Sequence, residues 1–134
     1  MWNRTTQNYG LTDILYPGDG YWIYAYHICQ LWASGVNGFA LDPYITDLYP
    51  KWNIMGSTDS ESVEKQNLTI LYNGTMYSWQ EAVSNNIIVG FIFQWNETGQ
   101  IYQLTDVLQP GRSYWMYAYY NCTLLRPSIL EMDK

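Results

Sequence analysis

Hydrophobic positions along the chain fall in short alternating runs bounded by Gly, Pro, Asn and Asp, the period-two pattern of half-buried strands. Between residues 21 and 28, Trp22, Tyr24 and Tyr26 occupy one face and Tyr21, Ile23, Ala25 and His27 the other, with Cys29 continuing that second face. That spacing predicts a strand. Residues 52–56, 68–72 and 75–77 read the same way, with Asn73-Gly74 as a tight hairpin turn between the last two. Polar stretches between aromatics at residues 2–12 and 95–102 predict hairpin loops with strands either side. Residues 57–66 are polar and acidic, compatible with one helical turn. Ser78-Trp79-Gln80-Glu81 fits a capping box and predicts a short helix near 78–84 that ends at Asn85-Asn86. Residues 87–93, Ile-Ile-Val-Gly-Phe-Ile-Phe, predict a central strand covered on both faces, with Gly90 allowing a bulge or a Trp packed on the backbone.

These elements are organised by a duplication. Residues 2–34 align without a gap to residues 95–127 at a constant offset of 93, and 18 of the 33 pairs are identical. The strongest stretch is Leu15-Tyr16-Pro17-Gly18-Asp19-Gly20-Tyr21-Trp22-Ile23-Tyr24-Ala25-Tyr26, matched by Leu108-Gln109-Pro110-Gly111-Arg112-Ser113-Tyr114-Trp115-Met116-Tyr117-Ala118-Tyr119. Pro followed by Gly is the signature of a type II turn leading into the aromatic strand. The organisation expected is a partial repeat over 1–34, a Gly- and Pro-bearing connection over 35–50, a complete unit over 51–125 and a polar tail over 126–134. The fold class follows: mainly β, short antiparallel strands in a small sandwich or barrel-like unit, with one short helix.

Composition adds the setting. Aromatic residues make up 18% and charged residues only 13%, so much of the surface must be neutral polar or aromatic. A net charge of -6 with six Lys plus Arg, scattered singly, argues against nucleic acid as a partner. No apolar run is long enough for a membrane span, and Met1-Trp2-Asn3-Arg4 lacks the features of a signal peptide. Asn-x-Thr occurs at Asn3, Asn67, Asn73, Asn96 and Asn121, five times where composition predicts about one. Asn3 and Asn96 are repeat equivalents. The excess favours N-glycosylation and an extracellular, cell-surface location. Cys29 and Cys122 are also equivalents, and either form a disulfide or pack the same small site twice.

Chemistry is sparse. His27 aligns with Tyr120, which points to a structural histidine packed among aromatics, and no His or Cys cluster has metal-ligand spacing. Asp13 and Asp106 are equivalent and read as braces for the Pro-Gly turn, and Asp59, Glu61 and Glu64 read as a solvated acidic loop. No catalytic residue, metal or cofactor is called for, and the chain is not expected to be an enzyme. The stripe Trp22, Tyr24, Tyr26 and its copy Trp115, Tyr117, Tyr119 is the candidate binding or interface surface, flat enough for sugar rings or a protein partner. Its alternative is the core itself.

Trp52-Asn53-Ile54-Met55-Gly56, Tyr72-Asn73-Gly74, Tyr77-Ser78-Trp79-Gln80-Glu81-Ala82-Val83, Trp95-Asn96 and Pro110-Gly111-x-x-Tyr114-Trp115-Met116-Tyr117 occur in an order that carries a resemblance. It resembles the WNLIG … PGxGYWxY repeats of secreted archaeal and bacterial cell-surface proteins of S-layer-like or adhesin-like type. The match covers residues 51–125 and the C-terminal half of a second unit at 2–34. Arg112-Ser113 departs from the usual small residue plus Gly, and the first copy lacks its own Trp-Asn-Leu-Ile-Gly half. The resemblance implies a non-catalytic structural module whose partners are other copies of itself or other surface proteins. Assembly by strand sharing into a filament or layer is the sharper expectation, and a carbohydrate-binding module is the alternative.

Overall fold

The computed structural model describes residues 2–15, 19–31, 45–56 and 62–126. Twelve strands and one helix follow the chain in order: β1 (Trp2–Asn3), β2 (Asn8–Tyr9), β3 (Ile45–Leu48), β4 (Lys51–Gly56), β5 (Val63–Glu64), β6 (Thr69–Tyr72), β7 (Thr75–Ser78), α1 (Trp79–Ser84), β8 (Ile92–Asn96), β9 (Ile101–Thr105), β10 (Val107–Leu108), β11 (Ser113–Ala118) and β12 (Cys122–Leu125). A single 3-10 turn, Lys65–Asn67, lies between β5 and β6. All pairings are antiparallel. One four-stranded sheet has the order β4-β11-β8-β9 and a second the order β3-β12-β6-β7, with β1-β2 and β10-β5 as two-stranded pieces. The sheets do not close into a barrel, so the small sandwich is the form the chain takes.

The core lies on alternate positions. Along β11 the burial alternates strictly, with Tyr114, Met116 and Ala118 inward, and β12 continues it with Cys122 and Leu124. Met55, Ile92, Ile88, Leu48 and Ile70 join them, and Trp79 and Ala82 of α1 close one end of the cluster. β11 is the central strand of its sheet, paired along its whole length to β4 (Tyr114 opposite Met55, Met116 opposite Asn53) and over Tyr114 and Trp115 to β8.

Local chemistry fixes the turns. Ser78 Oγ accepts from Glu81 N at 3.2 Å and Glu81 Oε1 accepts from Ser78 N at 3.4 Å, the reciprocal capping box of α1. Asn73 and Gly74 both have positive φ, 52° and 80°, as a type I′ hairpin turn between β6 and β7 requires. Gly111 also has positive φ, as its Pro-Gly turn predicts, whereas the Pro17-Gly18 turn lies outside the described residues. The buried Asn53 holds the β3–β4 turn: its Oδ1 accepts from Tyr49 N, and its Nδ2 donates to the carbonyls of Tyr49 and Lys51.

Three expectations are corrected. Residues 21–28 form no strand, although the equivalent β11 is central, because among the described residues no ladder of the kind β4 and β8 give β11 flanks residues 22–28. The connection assigned to 35–50 contains β3, whose Ile45–Leu48 pairs with β12 residue for residue; residues 35–44 and 127–134 lie outside the described residues. Residues 87–93 are two pieces: Ile88 bridges to Ala118, and β8 begins only at Ile92. Gly90 lies between the two pieces, where a Cβ would sit 3.2 Å from Val83 Cγ1, so its neighbour is valine and not tryptophan.

Two substitutions measure these supports. Ser78→Ala removes the cap and should cost about 1 kcal/mol. Asn53→Ala leaves buried turn groups unsatisfied and should cost about 2 kcal/mol. Urea unfolding checks both, and a larger loss for Ser78→Ala than for Asn53→Ala would contradict this ranking.

Candidate functional site

The face of the first sheet turned away from the core is aromatic. Period two places Trp52 on β4, Trp115 and Tyr117 on β11, Phe93 and Trp95 on β8 and Tyr102 on β9 on this outer side, each directly opposite a neighbour in the ladder. Trp52 meets Tyr117 at 5.2 Å, Trp115 at 6.2 Å and Phe93 at 6.0 Å between ring centroids. Tyr117 continues to Tyr119 at 5.4 Å. The stripe Trp115, Tyr117, Tyr119 is therefore the outer face, and the core is built from its alternates.

The two repeat copies share their local structure as far as the Pro-Gly turn. Trp2 pairs with Tyr9 in one hairpin and Trp95 with Tyr102 in the other, and both ring pairs are edge-on at 5.0 Å and 68°. Asn3 Oδ1 accepts from Thr5 N and Thr6 N, as Asn96 Oδ1 accepts from Thr98 N and Gly99 N. Gln7 and Gln100 have φ of 57° and 55°, and their side-chain amides donate to Arg4 O and Glu97 O. Thr12 and Thr105 make the same hydroxyl turn two residues on.

Each hairpin then receives the motif tryptophan of the other copy. Trp115 stands edge-on to Trp2 at 4.9 Å and to Tyr9 at 6.3 Å. Its equivalent Trp22 stands edge-on to Trp95 at 5.0 Å and to Tyr102 at 6.3 Å. The exchange is reciprocal. Trp22 Nε1 also donates to Tyr9 Oη at 2.7 Å, and burial raises the phenol of Tyr9 above its ordinary value. Polar contacts dock the first hairpin on the sandwich edge: the Gln7 side chain both donates to and accepts from the Trp52 backbone, Trp2 Nε1 donates to Trp52 O, and Arg4 donates to Asp47 O while lying 4.5 Å over the Tyr49 ring. From there Gly20 crosses Ile54 and Ser113, where a Cβ would be only 2.6 Å from Ile54 Cγ1.

Beyond Trp22 the first copy departs from the second. Tyr24 and Tyr26 are 83% and 87% exposed and meet each other edge-on, at 5.3 Å. The predicted stripe is thus split, with Trp22 on the aromatic face beside Trp95 and Tyr24 and Tyr26 off it. His27 is exposed and not packed among aromatics. Cys29 is exposed and Cys122 buried, and both are free thiols, so the two equivalent positions are not bridged. The reciprocal contact joins the copies at hairpins and tryptophans and leaves the cysteines apart. Of the five sequon asparagines, Asn3, Asn67, Asn73 and Asn121 are exposed and Asn96 half-buried. Asp106 pairs with Lys65 at 2.9 Å across an exposed surface. Sequence reasoning missed Trp2, Tyr9, Trp52 and Gln7 as parts of the face; the identical Trp-x6-Tyr spacing of the two hairpins, with Gln7 matching Gln100, was the signal for all of them but Trp52.

Asp47, Leu48, Asn73, Asn121 and Cys122 help line a shallow open cleft of about 520 Å³ on the second sheet. Among the described residues no three His, Cys, Asp or Glu side chains are grouped to hold a metal ion, and no helix is long and apolar enough to cross a membrane. No protein-family model, curated protein or solved structure matches the chain. The likeness to surface-protein repeats rests on the motif residues alone.

Burial pushes the Cys122 thiol up from the ordinary 9.0 to about 11. At pH 8 iodoacetamide should therefore label Cys29 and spare Cys122 in the folded chain. The core holds the neutral thiol, so this contribution to stability is whole below pH 9.0 and is lost as the pH rises toward about 11. Urea unfolding at the two ends of that window should show a smaller loss for Cys122→Ala than for the unsubstituted chain.

Proposed function

We propose that the protein is a non-catalytic structural repeat module of a glycosylated, extracellular surface protein, and that it assembles with other copies of itself or with other surface proteins. The observation that carries this reading is the reciprocal packing of the two copies. The two copies are joined through tryptophan and tyrosine rings, which is architecture and not reaction chemistry. The sequon asparagines fit the same reading, because four of them are exposed and a glycan needs such a position. The motif likeness to S-layer-like and adhesin-like repeats supports it from the sequence side.

A carbohydrate-binding role is the second reading. It is favoured by one observation, that Trp52, Trp115, Tyr117 and Tyr119 line the outward face and not the core. Rings presented this way suit the C–H faces of sugars. Negative-stain imaging of the purified protein separates the two. The module reading expects filaments or layers with a regular repeat as concentration rises; discrete single particles at every concentration, with tryptophan fluorescence that responds to polysaccharide, would replace it with the second.

A further inference from the structure

The segment 21–31, exposed from residue 22 onward, carries the inward-facing pattern of a core strand. The residues that fill the core from β11 and β12 are Tyr114, Met116, Ala118, Cys122 and Leu124, all buried. Their repeat equivalents are Tyr21, Ile23, Ala25, Cys29 and Leu31, four identical and one a change of Met to Ile. Yet Ile23 is 61% and Leu31 70% exposed, and Ala25 and Cys29 are exposed as well. Volume-conserving exchanges of this kind are the ones a packed core accepts. An apolar row this regular on an arm without a ladder is a strand lacking its sheet.

The chain thus holds two inserts and one slot. The slot is the gap between β4 and β8 in one sheet, extended between β3 and β6 in the other, and β11 with β12 fills it. Exchange of inserts between intact copies leaves the number of filled slots unchanged, so it supplies no net burial. A gain arises only where a slot stands empty.

We infer that residues 21–31 are a donor strand for a second half-unit with the pattern of residues 45–96, in which the slot between the Trp-Asn-Ile-Met-Gly strand and the Ile-Phe-Gln-Trp-Asn strand is open. This rests on the module reading above and names its partner: a half-sandwich of the same repeat on another polypeptide. Ile23, Ala25, Cys29 and Leu31 face inward in the complex and Trp22 faces outward, as Trp115 does in this chain. Recognition combines main-chain pairing on both edges with alternate side-chain pockets.

The test uses full-length chains. Met116→Asp combined with Ile23→Asp disables both inserts and leaves an open slot, making that double variant the acceptor probe. Mixed with the unsubstituted chain, it should form a one-to-one complex by native mass spectrometry, and alkylation of the donor's Cys29 should slow about tenfold or more, as local burial dictates. A donor carrying only Ile23→Asp should form no complex while unfolding at the unsubstituted midpoint. Equal complex formation by both donors, or none with Cys29 labelled at its original rate, overturns the inference. Should the double variant precipitate, Met116→Asp alone decides. Residues 32–44 are long enough to let segment 21–31 fill its own slot, so labelling should switch from Cys29 to Cys122; loss of folding with both thiols reactive overturns it. Regular layers formed by the unsubstituted chain, with no complex between it and the open-slot variant, would remove the donor and leave the module reading standing, whereas a donor complex without layers or filaments would do the reverse.

Discussion

The fold depends on one pairing constraint: a single slot between β4 and β8 that one copy of a duplicated strand occupies. β11 has ladder partners on both sides, an inward face of Tyr114, Met116 and Ala118, and an outward face of Trp115 and Tyr117. Among the described residues no comparable ladder flanks residues 22–28. Two segments of nearly the same sequence therefore have different fates, because strand structure is set by available neighbours more than by propensity.

The reciprocal ring contacts turn that asymmetry into a compact whole. Trp115 reaches the first hairpin and Trp22 the second, so each copy completes the aromatic cluster of the other even though only one completes a sheet. Edge-on pairs at such distances each add of order 1 kcal/mol beyond the area they bury, enough together to hold the N-terminal arm on the outer face. The Gln7 amide assists by pairing with the Trp52 backbone as a neighbouring strand residue does. The same contacts leave Tyr117, Tyr119, Trp52 and Tyr102 partly or fully at the surface, where much of the chain's aromatic content lies.

Features governed by local chemistry were legible in the sequence. The capping box at Ser78 and Glu81, the Asn73-Gly74 turn and both hairpins need only a few neighbouring residues, and each stands where the residues put it. Features governed by distant partners were not. Ile45–Leu48 lay hidden because Gly and Pro around it read as a connection, while its pairing with β12 is set some 76 positions away, as between Asp47 and Thr123. The run 87–93 looked continuous by hydropathy, but its ladder partners divide it, Ile88 bridging to Ala118 and Ile92 beginning the pairing with β9. Which face of the Trp-x-Tyr stripe would be buried could not be read from alternation, since both faces are apolar; the smaller, better-packing set of Tyr114, Met116 and Ala118 went inward.

Native-state hydrogen exchange on the full chain addresses the central claim, that one copy of the duplicated strand is built into the core and the other is not. The account predicts that the amides of β11 exchange only through global unfolding, while those of residues 23–31 exchange near the rate of an unstructured peptide. Equal protection of the two segments in the isolated chain would contradict it.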